Sequence, residues 1–130
     1  MSPQSRPSPA TLAGLAPVFT ALGDATRLQL VSRLCHEGPL SITRLADGTA
    51  LTRQAVTKHL RVLGDAGLAG SERHGREQLW HVDARRLAEV RRLLAQVSAQ
   101  WDDALGRLAA FVERGRRCRA RSARRRGRTS

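Results

Sequence analysis

The segment 51–69, LTRQAVTKHLRVLGDAGLA, has the pattern of an amphipathic helix that ends in a glycine-containing turn. Val56, Leu60 and Leu63 recur at i, i+4 and i+7, so they lie on one side of a helix of about three turns. Thr52 suits the start of this helix, because a threonine hydroxyl can accept a hydrogen bond from a backbone N–H of the first turn. The sequence therefore predicts a short helix that buries one side and exposes the other.

The exposed side of this helix, predicted over 52–64, carries hydrogen-bond donors and acceptors but no carboxylate. Its residues are Arg53, Gln54, Thr57, Lys58 and Arg61, with His59 towards one flank. A solvated helix ordinarily mixes acidic residues with its lysines and arginines. Neutral and basic side chains alone are suited to base edges and phosphates, so we expect this face to approach a polyanion.

Positive charge is concentrated at one end of the chain. The 130 residues carry a formal net charge of +12, and nine of the positive charges are arginines of 114–130, a segment without an acidic residue. Residues 1–113 contain 14 basic and 11 acidic residues, so their net charge is only +3. Segment 114–130 is rich in Gly, Ser and Arg and lacks apolar periodicity. It is therefore predicted to be a disordered tail with non-specific affinity for nucleic acid.

Further helices and one hairpin are predicted from periodicity and turn residues. Residues 1–9 are polar and proline-rich and are expected to be disordered. Helices follow over about 10–22 and 25–36, and Ser41 caps a short third helix. Residues 68–82 change to a strand pattern with a glycine at the turn position, which predicts a β-hairpin. The residues expected to be buried in the first two helices are Leu12, Leu15, Phe19, Leu22, Leu28, Leu30, Val31 and Leu34.

The last predicted helix, 84–113, has a very regular apolar stripe. The stripe consists of Leu87, Val90, Leu94, Val97, Trp101, Leu105, Leu108 and Val112, spaced by three or four residues throughout. It is about 38 Å long, which is more than a domain of this size can cover from end to end. We therefore expect a homodimer, whose predicted interface residues are Leu94, Val97, Trp101, Leu105 and Leu108. The alternative is a helix that packs entirely on its own domain.

Four segments occur along the chain in the order LGDATRLQLVSRL, GPLSITRLA, LTRQAVTKHLRVLGDAGL and GREQLWHV. Together with the later WDDALGRL, they resemble the ArsR family of winged helix-turn-helix transcriptional repressors over about residues 10–113, in a branch that lacks the metal-binding cysteines. The resemblance implies a mainly α fold with a small β-hairpin and a long C-terminal dimerisation helix. It also implies a homodimer on an inverted repeat of double-stranded DNA, with each recognition helix in a major groove and each wing near a minor groove.

The resemblance assigns DNA contacts to the recognition helix and to the wing. The recognition-helix residues are Thr52, Arg53, Gln54, Thr57, Lys58 and His59, and the wing residues are Arg73, His74 and Arg76. Gln54 is suited to a bidentate contact with adenine, and Arg53 or Lys58 to guanine or a phosphate. His59 has the alternative of bonding a neighbouring group without contact to a base. The alternative for the wing is a solvated, charged hairpin tip.

Many members of the family sense metals, but this sequence lacks the ligands that the family uses. The third-helix segment SITRLAD has no cysteine, and 84–113 has no histidine. Cys35 and His36 are adjacent, and adjacent residues do not share a helix face. We therefore expect no metal site and no cofactor, with Cys35 buried and inert. No glycine-rich phosphate loop follows a predicted strand, so an enzyme is not expected.

These features predict a cytoplasmic, dimeric repressor that is released from DNA by an unidentified signal, such as a small-molecule inducer. A membrane protein is not expected, because no apolar run approaches the ~18 residues of a membrane span. One alternative is a nucleoid-associated or RNA-binding protein that binds through the arginine-rich tail. A second alternative is a protein-interaction dimer without DNA binding, but that hypothesis predicts a recognition face free of Arg53 and Lys58.

Overall fold

The computed structural model describes residues 6–128, and in this part of the chain it has five helices and three strands. In chain order they are α1 (Pro9–Leu22), α2 (Ala25–Glu37), β1 (Leu40–Ser41), α3 (Ile42–Ala46), α4 (Arg53–Asp65), β2 (Ala69–His74), β3 (Glu77–Val82) and α5 (Ala84–Arg128). The predicted mainly helical fold with a small β-sheet is confirmed. The chain divides into two units, of which the first is Pro7–Leu93 and the second begins at Leu94 and includes Arg6. Within the described residues, every helix is too short or too polar to cross a membrane.

After α1, each helix begins at a side chain that caps it, as the sequence predicts for α3 and α4. These caps are Asp24 for α2, Ser41 for α3, Thr52 for α4 and Asp83 for α5. In α4, the backbone N–H of Ala55 donates to the Thr52 hydroxyl oxygen at 3.1 Å. Each cap satisfies a backbone donor that the first helical turn leaves unpaired, and it thereby fixes where the helix begins.

The core of the first unit is built from aliphatic side chains. The largest fully buried ones are Val18, Leu45, Val56, Leu60, Leu63 and Leu68. Val56, Leu60 and Leu63 form the predicted buried stripe of α4, which is confirmed. Because this stripe is completely removed from solvent, the opposite side of α4 faces outward.

The buried side of α1 differs from the prediction. Leu15, Val18 and Ala21 are buried, whereas Leu12 and Phe19 are exposed. Most positions of α1 are apolar, so the spacing alone does not determine which side packs inward. The structure packs inward the side with Leu15, Val18 and Ala21, and Leu22 at the end of the helix is half-buried.

The helix α2 also exposes two residues that were predicted to be buried. Leu30, Val31 and Leu34 are buried, but Leu28 is 50% exposed. Leu28 lies about 60° from Val31 around the helix, on the side away from Leu30, and therefore falls outside the buried arc. Cys35 follows Leu28 by seven residues on the same edge and is exposed, so the prediction of a buried Cys35 is wrong.

The predicted hairpin is confirmed, and the structure adds a third strand. β2 and β3 pair antiparallel, with Ala69 opposite Val82 at the open end. Gly75 is the first of the two turn residues and has φ +64°, as a type II′ turn requires. β1 pairs antiparallel with the other edge of β3, with Leu40 opposite Trp80. A strand of two residues is too short to show the alternation by which strands are predicted, so β1 was missed.

The last helix is longer than predicted. α5 continues past residue 113 to Arg128, so the disorder predicted over 114–130 is wrong as far as Arg128; the last two residues lie outside the described part of the chain. Arginine and alanine are strong helix formers, and extending an existing helix fixes one residue for each hydrogen bond gained. Glu113 and Arg117 add an i,i+4 ion pair at 3.8 Å.

At the other end, α1 begins at Pro9, close to its predicted start. Ser8 caps this helix by accepting a hydrogen bond from a first-turn backbone N–H at 3.1 Å. Proline is suited to the first helical position, because a helix does not use the N–H there. Of the segment 1–9 that was predicted to be disordered, 1–5 lie outside the described residues, and 6–8 have no regular secondary structure.

The depth of the α4 stripe can be tested with two identical substitutions. Leu60→Ala should lower the free energy of unfolding by about 2–5 kcal/mol, because a fully buried leucine leaves a cavity. Leu28→Ala removes the same atoms from a half-exposed position and should cost less than about 1 kcal/mol. Urea denaturation of both variants measures the difference. Equal losses would show that α4 is not anchored through Leu60.

Candidate nucleic-acid interface

The outward side of α4 presents five side chains that we call the outer face. They are Arg53, Gln54, Thr57, Lys58 and Arg61, and together they line a shallow concavity in the protein surface. They fall into two rows with a spacing of four residues, 53–57–61 and 54–58, which places them on one side of the helix. Arg61 was not among the predicted DNA contacts, although its spacing of four residues from Thr57 could have indicated that it belongs to the same face.

The charged members of the outer face are not paired with other described residues. Within residues 6–128, the side chains of Arg53, Lys58 and Arg61 form neither an ion pair nor a hydrogen bond with another residue, and Gln54 is likewise free. The Thr57 hydroxyl instead donates to the backbone carbonyl oxygen of Arg53 at 2.8 Å. Three cationic groups and one amide are therefore left to bind an external ligand, and a face of this composition favours an anion.

The connection from α3 to α4 is held by hydrogen bonds of its own residues. The Thr49 hydroxyl donates to the carbonyl oxygen of Ala46 at 2.8 Å and accepts from the N–H of Leu51 at 3.3 Å. Gly48 adopts φ +78°, a conformation that residues with a Cβ rarely adopt. This short, bonded turn fixes the direction in which α4 leaves α3.

His59 lies on the flank of α4 that faces α1 and α2, and not on the outer face. Its Nδ1 atom is 3.5 Å from Nη1 of Arg27 and 3.9 Å from Oδ2 of Asp24. Arg27 also donates from Nε to the carbonyl oxygen of Ala21 at 2.6 Å. A guanidinium has no acceptor, so in the Arg27–His59 contact the ring nitrogen accepts. The cluster connects α1, α2 and α4, and this placement favours the alternative in which His59 bonds a neighbouring group.

The carboxylate of Asp24 is stabilised in its charged form at this junction. The backbone N–H of Arg27, 3.0 Å from Oδ2, is the main cause that holds the pKa of Asp24 below its ordinary value of 3.8. Partial desolvation opposes this shift, and the nearby positive charge of Arg27 supports it. Asp24 is thus both the cap of α2 and the anionic member of the cluster.

The tip of the hairpin carries the other predicted DNA contacts. Arg73, His74 and Arg76 are all exposed. His74 Nε2 lies 3.6 Å from a carboxylate oxygen of Glu72, whereas neither arginine is paired within residues 6–128. The structure therefore brings two unpaired cations to the tip, at the opposite end of the hairpin from its junction with α5.

Comparison with known proteins shows what these elements belong to. Residues 22–69, which contain α2, α3 and α4, match a helix-turn-helix domain model. The chain is 36% identical over 95 residues to the HTH-type transcriptional regulator Rv2034 of Mycobacterium tuberculosis, covering 73% of this chain and 85% of that protein. An ArsR-like transcriptional regulator from Rhodococcus sp. RHA1 superposes with a TM-score of 0.69 at 34% identity, covering 82% of this chain and 97% of the other. This chain belongs to the ArsR family of winged helix-turn-helix regulators.

A second solved structure, described as that of a possible ArsR-family transcriptional regulator, has a stated assembly state. The homodimeric winged helix-turn-helix DNA-binding domain Mb0332 of Mycobacterium bovis superposes on this regulator with a TM-score of 0.57 at 28% identity. The match covers 77% of this chain and 91% of that domain. This ArsR-family protein is a transcriptional regulator with a helix-turn-helix DNA-binding domain, in which α4 is the predicted recognition helix and the β2–β3 hairpin the predicted wing.

Histidine, cysteine and acidic residues, the types that bind metals in proteins, do not cluster in the described part of this regulator. Among residues 6–128, no group of three or more His, Cys, Asp or Glu side chains is close enough to hold a metal ion. Cys35 and Cys118 are exposed and not joined in a disulfide. Asp24 and Asp83 are used as helix caps.

The contribution of Asp24 predicts how stability depends on pH. Since its pKa is lowered in the folded state, its carboxylate stabilises the fold above about pH 4, and this contribution is lost as the pH falls through the folded-state pKa. Asp24→Asn keeps a capping oxygen but cannot titrate. The free energy of unfolding from urea denaturation, measured between about pH 5 and pH 2.5, should therefore fall less steeply in the variant. If the two curves are parallel, Asp24 does not contribute to the loss of stability at low pH.

Proposed function

We propose that this regulator is a repressor that binds an inverted-repeat operator as a homodimer and is released by a chemical signal. The observation that carries the proposal is the outer face, where cationic and amide side chains lie together without a carboxylate or an internal partner among the described residues. In helix-turn-helix proteins the second helix of the motif enters the major groove. The buried stripe of α4 leaves the outer face as the side that would meet the DNA.

The residues of the outer face divide into base and phosphate contacts by their position along α4. The N-terminal part of a recognition helix is the part that reaches base edges. Gln54 lies there and can bond the N6 and N7 atoms of adenine together, and Arg53 or Lys58 can bond guanine or a phosphate. Arg61 lies two turns further along and suits a phosphate. Thr52, which is occupied as the cap of α4, is left mainly to support the helix at its start.

The wing supplies a second contact with DNA in this proposal. Arg73 and Arg76 at its tip have no ion-pair partner within residues 6–128 and can bind phosphates or enter the flanking minor groove. His74 is the weaker candidate, because Glu72 lies 3.6 Å from its ring. A nearby carboxylate reduces attraction to a phosphate.

The homodimer is supported by the apolar side of α5. Leu94, Trp101, Leu105 and Leu108 of the predicted interface are exposed in the single chain, and Trp101 is 68% exposed. Val97 lies half-buried between them. A continuous exposed apolar surface of this length marks an interaction site. The homodimeric relative from Mycobacterium bovis supports a second copy of the chain as the partner.

Repression and its release follow from this arrangement. A dimer on its operator blocks transcription by occupancy, and a signal releases it only if the signal binds the DNA-incompetent form more tightly. We place this action in the cytoplasm, with a small molecule as the inducer.

The role of Gln54 provides the decisive test. The operator is first identified by footprinting, beginning with the promoter of the regulator's own gene. Gln54→Ala should weaken operator binding by about 1–3 kcal/mol and leave binding to a scrambled duplex nearly unchanged, because only a base contact depends on sequence. Gln29→Ala, at an exposed position of α2, is the matched control and should change neither. Equal weakening on both duplexes would contradict sequence recognition by Gln54.

The dimer interface is tested by placing a charge in the apolar stripe. Trp101→Glu should dissociate the dimer and weaken operator binding with it, since two half-sites about one helical turn apart need two joined subunits. Ala110→Glu introduces the same charge on the opposite side of α5 and should leave the dimer intact. Sedimentation velocity measures both. A Trp101→Glu variant that remains dimeric would place the interface elsewhere.

A further inference from the structure

The arginines at the end of α5 are not spread evenly around the helix. Of the eight arginines from Arg114 to Arg126, five fall within an arc of about 100°, at about 100° per residue. These five, which we call the arginine face, are Arg114, Arg117, Arg121, Arg124 and Arg125. Arg121, Arg124 and Arg125, together with Cys118 and Ser122, line a shallow concavity. Because one continuous helix carries these arginines, their positive charges lie in a row along the helix axis; a disordered segment would not fix their positions.

The arginine face lies on the side of α5 opposite to the apolar stripe. Stripe residues from Leu94 to Val112 centre on a direction about 170° from the centre of the arginine face, as the helical repeat of 3.6 residues requires. Burial of the stripe against a second chain would therefore leave the arginine face in solvent. Arg117 of this face forms an exposed ion pair with Glu113 at 3.8 Å, and pairs of this kind contribute little.

We propose that the arginine face is a second DNA-binding surface, which binds the phosphate backbone of duplex DNA without sequence preference. Duplex DNA carries a negative charge about every 1.7 Å along its axis, so an arginine on each turn of about 5.4 Å finds a phosphate in reach. The helix-turn-helix domain of the same chain holds this face near DNA, which raises its effective concentration there. The recognition helix is not needed for this contact.

Other polyanions fit the segment less well. Residues 114–128 contain no aromatic side chain on which the bases of single-stranded RNA could stack. The opposite side of the segment carries Ala123 between Arg116 and Arg119, and an alanine is too small to anchor a helix in a lipid bilayer. A duplex backbone requires only regularly placed positive charge, and the segment supplies that.

The test compares two triple substitutions of equal charge in the full-length protein. The face variant is Arg117→Gln, Arg121→Gln and Arg124→Gln, and the control variant is Arg116→Gln, Arg119→Gln and Arg126→Gln. Glutamine keeps helix propensity, and equal circular dichroism would establish that both variants are folded. Binding to a scrambled duplex, which needs no operator, is measured from 50 to 200 mM salt.

The face variant should flatten the salt dependence, since each lost phosphate contact changes the log–log slope by about 0.9. Three lost contacts per chain correspond to a slope change of about 2.7. Between 50 and 200 mM salt, the loss of affinity of the face variant should therefore be roughly 40-fold smaller than that of the unmodified protein. The control variant should change the slope by less than about 1. Equal changes in both variants would show that the charge acts diffusely and would overturn the proposal. So would an unchanged duplex slope with weaker binding to single-stranded RNA or to phosphatidylserine vesicles.

Discussion

Burial of Val56, Leu60 and Leu63 sets the orientation of α4 in the fold. The position of every polar side chain on this helix depends on that orientation. All three side chains are fully removed from solvent. Rotating α4 by a quarter turn would expose part of this stripe and bury a charged residue of the outer face, and both changes are costly. The hydrophobic contact therefore determines which polar groups face outward, although it takes no part in binding itself.

Arginine has two separate uses in this regulator. Arg27, Arg33 and Arg86 donate to backbone carbonyl oxygens of other segments and tie the helices of the first unit together. Arg33, for example, bonds the carbonyl oxygen of Leu45 at 3.0 Å and an oxygen of Glu37 at 2.9 Å. The arginines of the outer face have no such partners within residues 6–128. The number of arginines alone therefore does not predict affinity for nucleic acid, because some of these arginines stabilise the fold.

The elements that the sequence predicted well are those determined by local chemistry. The α4 stripe, the cap at Thr52 and the turn at Gly75 all depend on residues within one turn or one hairpin. What was missed depends on distant contacts or on cooperativity. The neighbour of His59 is Arg27, 32 positions away, and no local pattern reveals such a contact. The helical state of 114–128 depends on an existing helix to extend, so composition alone misleads there. The DNA contacts of the outer face and wing stay predictions.

The independence of the outer face from the fold has an evolutionary consequence. The side chains of Arg53, Gln54, Lys58 and Arg61 are exposed and form no hydrogen bond or ion pair within residues 6–128, so replacing them costs little folding free energy. Selection can then alter these positions while the stripe beneath them stays constant. Duplicated copies of such a gene could acquire different target sequences in a few steps, without an intermediate that fails to fold.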